Sequence, residues 1–205
     1  MAVVTELKYQ KNKSRANVYL DGFFVCGLET STIVKNGIKV GVDITASRLE
    51  ELQAESEVER AQEKALNLLE RQKYTKKQIS TKLKTKGYLP ATIEKVIKKL
   101  EEYGYISDED YAGSFIRATG NKSVKELKFS LISKGVKQEI VEQAIEEAEI
   151  DETETIIKLA EKFMKYKENT KENRLKLLSY LYRKGFEYSA IQSAIGRFNI
   201  DDEYD

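Results

Sequence analysis

The 205-residue chain contains no histidine and no tryptophan, one cysteine (Cys26) and one proline (Pro90). Without histidine there is no Ser-His or Cys-His nucleophile pair and no imidazole acid or base, and most zinc sites are lost. A single cysteine builds neither an intrachain disulfide nor a thiolate metal cage, and it suits a reducing cytoplasm. Neither Gly-x-x-x-x-Gly-Lys-Ser/Thr nor Gly-x-Gly-x-x-Gly occurs, so the two common phosphate-cradling loops are missing. No apolar run approaches the roughly 20 residues of a membrane-spanning helix. The start, Met1 to Glu6, lacks the basic region and apolar stretch of a secretory signal. These absences shift the expectation from an enzyme to a binding protein with no cofactor, no metal and no membrane contact. Carboxylate, Lys or Tyr chemistry stays open, but no pair stands out from the acidic runs.

Hydrophobic residues make up 40% and charged residues 34%, which is too apolar for a disordered chain. The net charge of +1 conceals blocks of one sign. From Arg71 to Lys99 the bases face one acid, Glu94. From Lys137 to Glu154 the acids face one base, Lys137. Residues 158–197 are basic again. Such alternation creates separate positive and negative surfaces.

Residues 1–45 read as a small β-rich module. Asp21-Gly22 lies between two β-prone runs, a hairpin signal because both turn positions need positive φ. Phe23, Phe24 and Cys26 read as core. Glu29 to Lys35 reads as a short helix and Lys39 to Ile44 as a further strand. Thr45 or Ser47 caps a long helix from about residue 48. So small a sheet buries little by itself and is expected to dock on the helices or on a partner.

Beyond about residue 58 the chain reads as helical and repeats itself. Gly87, Gly135 and Gly185 lie 48 and 50 residues apart. Leu83, Leu131 and Leu181 stand four before each glycine, and Ile79, Leu127 and Leu177 eight before. Tyr88, Val136 and Phe186 follow one after, with Ile93, Val141 and Ile191 six after and Ile97, Ile145 and Ile195 ten after. Each unit is predicted to contain three helices, the second closed by its glycine in the left-handed conformation. Thr75 with Gln78 and Ser123 with Glu126 have capping-box spacing at the start of that second helix. The upstream helices fall at 58–72, 109–118 and 153–167. The expected fold is mainly α: three tandem three-helix repeats in an elongated curved array, preceded by the β-rich module. The boundaries are 1–45, 46–107 (linker helix and first repeat), 108–150, 151–199 and an acidic tail, 200–205.

The helices after the glycines, Lys137 to Ala148 and Glu187 to Phe198, are acidic or nearly neutral and make poor readers of a DNA groove. The bases gather instead on the second helices of the first and third repeats: Lys76, Lys77, Lys84 and Lys86, with Arg174, Lys176, Arg183 and Lys184. Taken singly, each reads as a solubilising charge. As a block they read as a surface for an acidic partner or a phosphate backbone. Lys77 and Lys84, seven apart, share a face, whereas Lys86 lies near the apolar stripe and snorkels.

The run Glu102-Tyr103-Gly104-Tyr105-Ile106-Ser107-Asp108-Glu109-Asp110-Tyr111-Ala112, followed by the second Leu-x-x-Lys-Gly, resembles the signature Glu-x-Gly-Tyr-Leu-Asp-Asp-x-x-Phe-Ala of the RecX regulatory family. With Ala65 to Leu69 and the first Lys-Gly, the likeness covers all three repeats, and residues 1–45 resemble the N-terminal extension of Gram-positive members. The sequence departs from the pattern at Ile106-Ser107, at Tyr111, and at Leu89, where a capping Ser is usual. Asp108 is read as the cap of the following helix. The resemblance implies a non-enzymatic, cytoplasmic, monomeric protein that binds the RecA recombinase filament on single-stranded DNA and limits its activity. The alternative reading is a general nucleic-acid-binding protein whose basic helices track phosphates.

Overall fold

The computed structural model describes residues 2–11 and 13–196. In order they form strands β1 (Ala2–Tyr9), β2 (Arg15–Leu20) and β3 (Phe23–Glu29), helix α1 (Thr30–Lys35) and strand β4 (Asp43–Ile44). Helices α2 (Ala46–Leu69), α3 (Lys76–Thr85), α4 (Pro90–Glu102), α5 (Asp108–Ala118) and α6 (Val124–Ser133) follow. The last are α7 (Gln138–Glu147), α8 (Thr153–Met164), α9 (Lys171–Arg183) and α10 (Tyr188–Ile195). The protein is mainly helical, with a small N-terminal strand module. The acidic tail 200–205, and Arg197 and Phe198 at the end of the expected last helix, lie outside the described residues. The chain divides into two compact units: residues up to Lys73 with Ile79–Tyr105, and Tyr74–Gln78 with the chain from Ile106 onward.

In the first unit an antiparallel sheet has the order β3-β2-β1-β4. The β2–β3 hairpin turns at Asp21 (φ 48°) and Gly22 (φ 87°), as the sequence predicts. The turn is tied to β1: Asp21 Oδ1 accepts from the Val3 N–H at 3.0 Å, and Thr5 Oγ1 accepts from the Gly22 N–H at 2.9 Å. Alternate residues of β2 (Ala16, Val18 and Leu20) are buried and pack with Leu28, Ile33, Leu49 and Leu52. The module therefore docks on the start of α2.

Three expectations fail in this unit. The strand over Lys39 to Ile44 shrinks to Asp43–Ile44, because Gly41 (φ 90°) bends the chain so that its N–H reaches the Val4 carbonyl at 2.9 Å. Phe23 and Phe24 are exposed, not core. They sit beside the turn, and alternating burial along β3 starts only further on, at Cys26 and Leu28. The separate helices from about 48 and over 58–72 are one 24-residue helix, α2, capped by Thr45, which accepts from the Arg48 N–H at 3.2 Å. Farther along α2 the small residues Ala61 and Ala65 are buried, which lets α4 approach closely, and α4 buries Ile93, Val96 and Leu100.

The second unit has two cores. One joins Ala112, Ile116, Leu127, Leu131, Val136 and Val141; the other joins Ile156, Ala160, Leu177, Leu181, Phe186 and Ile191. Each is a repeat closed on itself. The glycine-terminated helix ends have the predicted form. Gly87, Gly135 and Gly185 have φ of 88°, 93° and 92°, and the N–H of the residue after each returns to the carbonyl of Leu83, Leu131 or Leu181. That bond swings Val136 and Phe186 back into their cores.

One consequence concerns Cys26, which is buried against α2 and whose thiol burial pushes up, away from the reactive thiolate. A maleimide reagent is expected to label it only when the first unit opens. Labelling rate against denaturant then reports that unit alone, and fast labelling of the native protein contradicts the placement.

Candidate partner-binding face

The second helices of successive repeats are joined end to end by one recurring set of contacts. Thr75 Oγ1 donates to the Lys134 carbonyl at 2.7 Å, and Ser123 Oγ donates to the Lys184 carbonyl at 2.7 Å. In each case the N-cap hydroxyl of one repeat meets the last free carbonyl before the glycine of the next. The same oxygens cap their own helices, accepting from the Gln78 and Glu126 N–H groups at 3.1 Å. A carboxylate from the next helix but one completes each joint. Asp108 accepts from the Lys76 N–H at 2.9 Å, and Glu152 accepts from the Val124 N–H at 2.6 Å. Asp108 is thus not the cap of its own helix. Ser107 caps α5, accepting from the Asp110 N–H at 3.0 Å, and Asp108 turns inward to serve α3. Beside it, Glu109 is held below the usual carboxylate range by a backbone N–H and the Ser107 hydroxyl, with Lys76 and Lys137 nearby.

The glycines are needed here for space as well as conformation. A Cβ on Gly135 would overlap the stem of Lys77, and one on Gly185 would lie 2.7 Å from Ser123 Oγ and 3.2 Å from Lys125 Cβ. A lysine stem therefore lies across each joint. Repeat three departs from this pattern. Its α9 has 13 residues against 10 in α3 and α6 and is capped further upstream by Thr170, whose hydroxyl accepts from the Asn173 N–H.

The eight basic residues singled out in the sequence fall as follows. Lys76 is half-buried at the first position of α3, and its backbone serves the joint. Lys77 is exposed at its head, with its stem on Gly135. Lys84 and Lys86 are exposed and belong to the first unit. Arg174 donates to Asn169 Oδ1 at 2.9 Å, and Arg183 donates to the Ser179 carbonyl at 3.2 Å. Lys176 pairs with Glu172 at 2.6 Å and holds that carboxyl below its ordinary range. Lys184 is exposed, and its carbonyl forms the second joint. Lys176 and Arg183 come together over a groove of about 400 Å³ that Phe163, Glu172, Leu175 and Ser179 also line. A larger cavity of about 550 Å³ beside α5 and α7 mixes Arg117 and Lys122 with Glu147, Asp151 and Glu154, so no single ligand charge is favoured there.

The sequence reading missed that repeat two is basic on the same helix. Lys122, Lys125, Lys128 and Lys134 surround α6 with Glu126 as the one acid, and Glu126 is paired with Lys122 at 2.9 Å. The acidic run from Lys137 masked this stretch, although counting charge helix by helix reveals it.

Among the described residues no cluster is arranged to hold a metal ion, and no helix is long and apolar enough to cross a membrane. Repeats joined through helix ends, with bases on one helix and acids on another, define a modular helical-repeat protein. Comparison with known proteins specifies it further. The RecX N-terminal domain matches residues 2–45, the first RecX three-helix domain residues 61–100 and the third RecX three-helix domain residues 149–195. The chain belongs to the RecX family. It is 32% identical over 202 residues to the regulatory protein RecX of Clostridium botulinum, covering 95% of each chain. It is 32% identical over 211 residues to that of Clostridium perfringens, covering 100% of this chain and 99% of the other. A crystal structure of RecX from Lactobacillus salivarius aligns with a TM-score of 0.65 at 28% identity, over 70% of this chain and 97% of that one. Another, of regulatory protein RecX, shares the fold with a TM-score of 0.73 at 24% identity, over 96% of this chain and 100% of the other.

The joints make a direct prediction. Gly135→Val forces a β-branched residue to positive φ and onto Lys77, and is expected to cost about 2 kcal/mol or more. Ser123→Ala leaves the Lys184 carbonyl and a helix start unpaired and is expected to cost about 1–3 kcal/mol. Denaturant unfolding followed by circular dichroism measures both, and midpoints equal to that of the parent protein refute the joint.

Proposed function

We propose that this protein is a non-enzymatic, cytoplasmic regulator that binds the RecA recombinase filament on single-stranded DNA as a monomer and inhibits or destabilises it, modulating recombination and DNA repair. The observation that carries this reading is family membership: relatives 32% identical over 95% or more of the chain are named regulatory protein RecX. The arrangement of the second helices supports it. Basic second helices recurring in modules 46–107, 108–150 and 151–199 suit an extended, acidic, repeating partner, where several weak contacts add through high effective concentration. In this reading Lys76, Lys77, Lys84, Lys86, Arg174, Lys176, Arg183 and Lys184 face the filament, and the acidic α7 faces away.

Co-sedimentation with recombinase on single-stranded DNA, against recombinase alone and DNA alone, tests the partner. Lys77→Glu with Lys84→Glu is expected to slow association with the filament while leaving helicity intact. Lys84→Glu alone tests the charge without touching a joint, and Glu142→Lys with Glu146→Lys is the control. Unchanged inhibition of recombinase across a range of salt refutes the surface. The pure protein is expected to hydrolyse no ATP, and turnover abolished by one carboxylate substitution refutes the non-enzymatic reading.

A further inference from the structure

The outward faces of α6 and α9 carry large apolar side chains where a solvated helix would carry polar ones. Phe129 is 73% exposed and Ile132 47% on α6, and Leu175 is 56% and Tyr182 64% on α9. They are not scattered. On α6, Lys125, Phe129 and Ile132 follow the spacing i, i+4, i+7, opposite buried Leu127 and Leu131. On α9, Leu175, Ser179 and Tyr182 occupy the corresponding positions, opposite buried Leu177 and Leu181. The two stripes have the same phase relative to their cores, and the second joint runs one into the other. Lys125 lies on Gly185, one turn from Tyr182, and at the far end Lys77 lies on Gly135, one turn from Ile132. The outcome is one row in the second unit in which exposed rings and aliphatic groups alternate with lysines at the joints.

Bases outnumber acids around this row. Lys128 flanks it on α6, and Lys176 and Arg183 flank it on α9. The acids of these two helices, Glu126 and Glu172, are already paired with Lys122 and Lys176. Unpaired apolar faces between cations match a chain that is itself polyanionic and carries flat apolar groups at regular intervals. Single-stranded nucleic acid has that chemistry, since every base offers a face to stack and every linkage a phosphate. A duplex hides its base faces, and an acidic protein helix, which can also present rings at helical spacing, is the alternative that the recombinase arm of the test below separates.

We propose that the Phe129–Tyr182 row is a stacking platform for single-stranded nucleic acid, with Phe129 and Tyr182 holding bases and Lys77 and Lys125 holding phosphates at the joints. This deepens the function proposed above by assigning direct strand contact to one helix row, and it is testable without recombinase. The probe is a fluorescein-labelled oligothymidylate, titrated with the full chain and followed by anisotropy at several salt concentrations. Phe129→Ala and Tyr182→Ala are expected each to weaken binding about 5- to 150-fold with an unchanged salt slope, because the stacking contribution is not ionic. Tyr182→Phe keeps the ring and is expected to bind like the parent protein. Lys125→Gln is expected to lower the slope by about 0.7, the loss of one phosphate contact on a single strand. Since the chain has no tryptophan, Tyr182→Trp installs a lone indole whose emission is expected to be quenched by the strand. All these side chains are exposed, and thermal melts confirm that the variants fold. The proposal is overturned if the alanine variants bind oligothymidylate like the parent protein, or if the parent protein does not bind it. Loss of recombinase inhibition in the alanine variants with strand binding intact makes the row a protein interface. That outcome overturns this proposal and leaves the regulatory reading standing. Weakened strand binding with unchanged inhibition supports the platform and counts against the proposed route of regulation.

Discussion

A helix leaves its last carbonyls without partners, and a helix start leaves its first N–H groups likewise. In the second unit these two deficits cancel through one oxygen. The Ser123 hydroxyl accepts from its own helix start while donating to the Lys184 carbonyl at the end of another helix, and Thr75 does the same for Lys134. Both hydroxyl residues are fully buried, so neither water nor a rotamer change substitutes for the bond. Everything else about the repeat is arranged around this contact. The glycine brings the carbonyl into the open, the absence of a Cβ admits the lysine stem, and Asp108 and Glu152 satisfy the next N–H group along.

The joint also explains how the candidate face arises. Within the second unit the joint sets the end of α9 against the start of α6, so positions counted from the glycine can be compared between these two helices. The sequence uses the positions ten and three before the glycine differently: Lys77 and Lys84 in the first repeat, Lys125 and Ile132 in the second, Leu175 and Tyr182 in the third. Equivalent helix positions therefore carry different chemistry from repeat to repeat, while α7 concentrates acids.

The glycine spacing alone made the helix ends, the three-helix units and the buried stripes legible, because each rests on a local rule: left-handed φ, period 3.6, a capping box. What stayed hidden was long-range. Asp108 fits a capping role for its own helix equally well on paper. Only the fold shows that Ser107 takes that role and that Asp108 turns to a helix start 32 residues earlier. Phe23 and Phe24 have the composition of core residues, but β3 begins its buried alternation two residues later. The basic character of α6 was written in the sequence and lost by dividing it into charge blocks that ignored helix boundaries.

Repeat two alone carries both halves of the joint. Its Gly135 end receives a hydroxyl, and its Ser123 end supplies one. A tandem duplication of this module would pair Ser123 of one copy with the Lys134 carbonyl of the next, using contacts the protein already makes. Repeat three, with α9 extended past the matching position and Asn173 standing where a hydroxyl would be, does not supply this hydroxyl. Because each repeat contacts its neighbours through the same joint, an array of this kind can change length only in steps of one whole repeat.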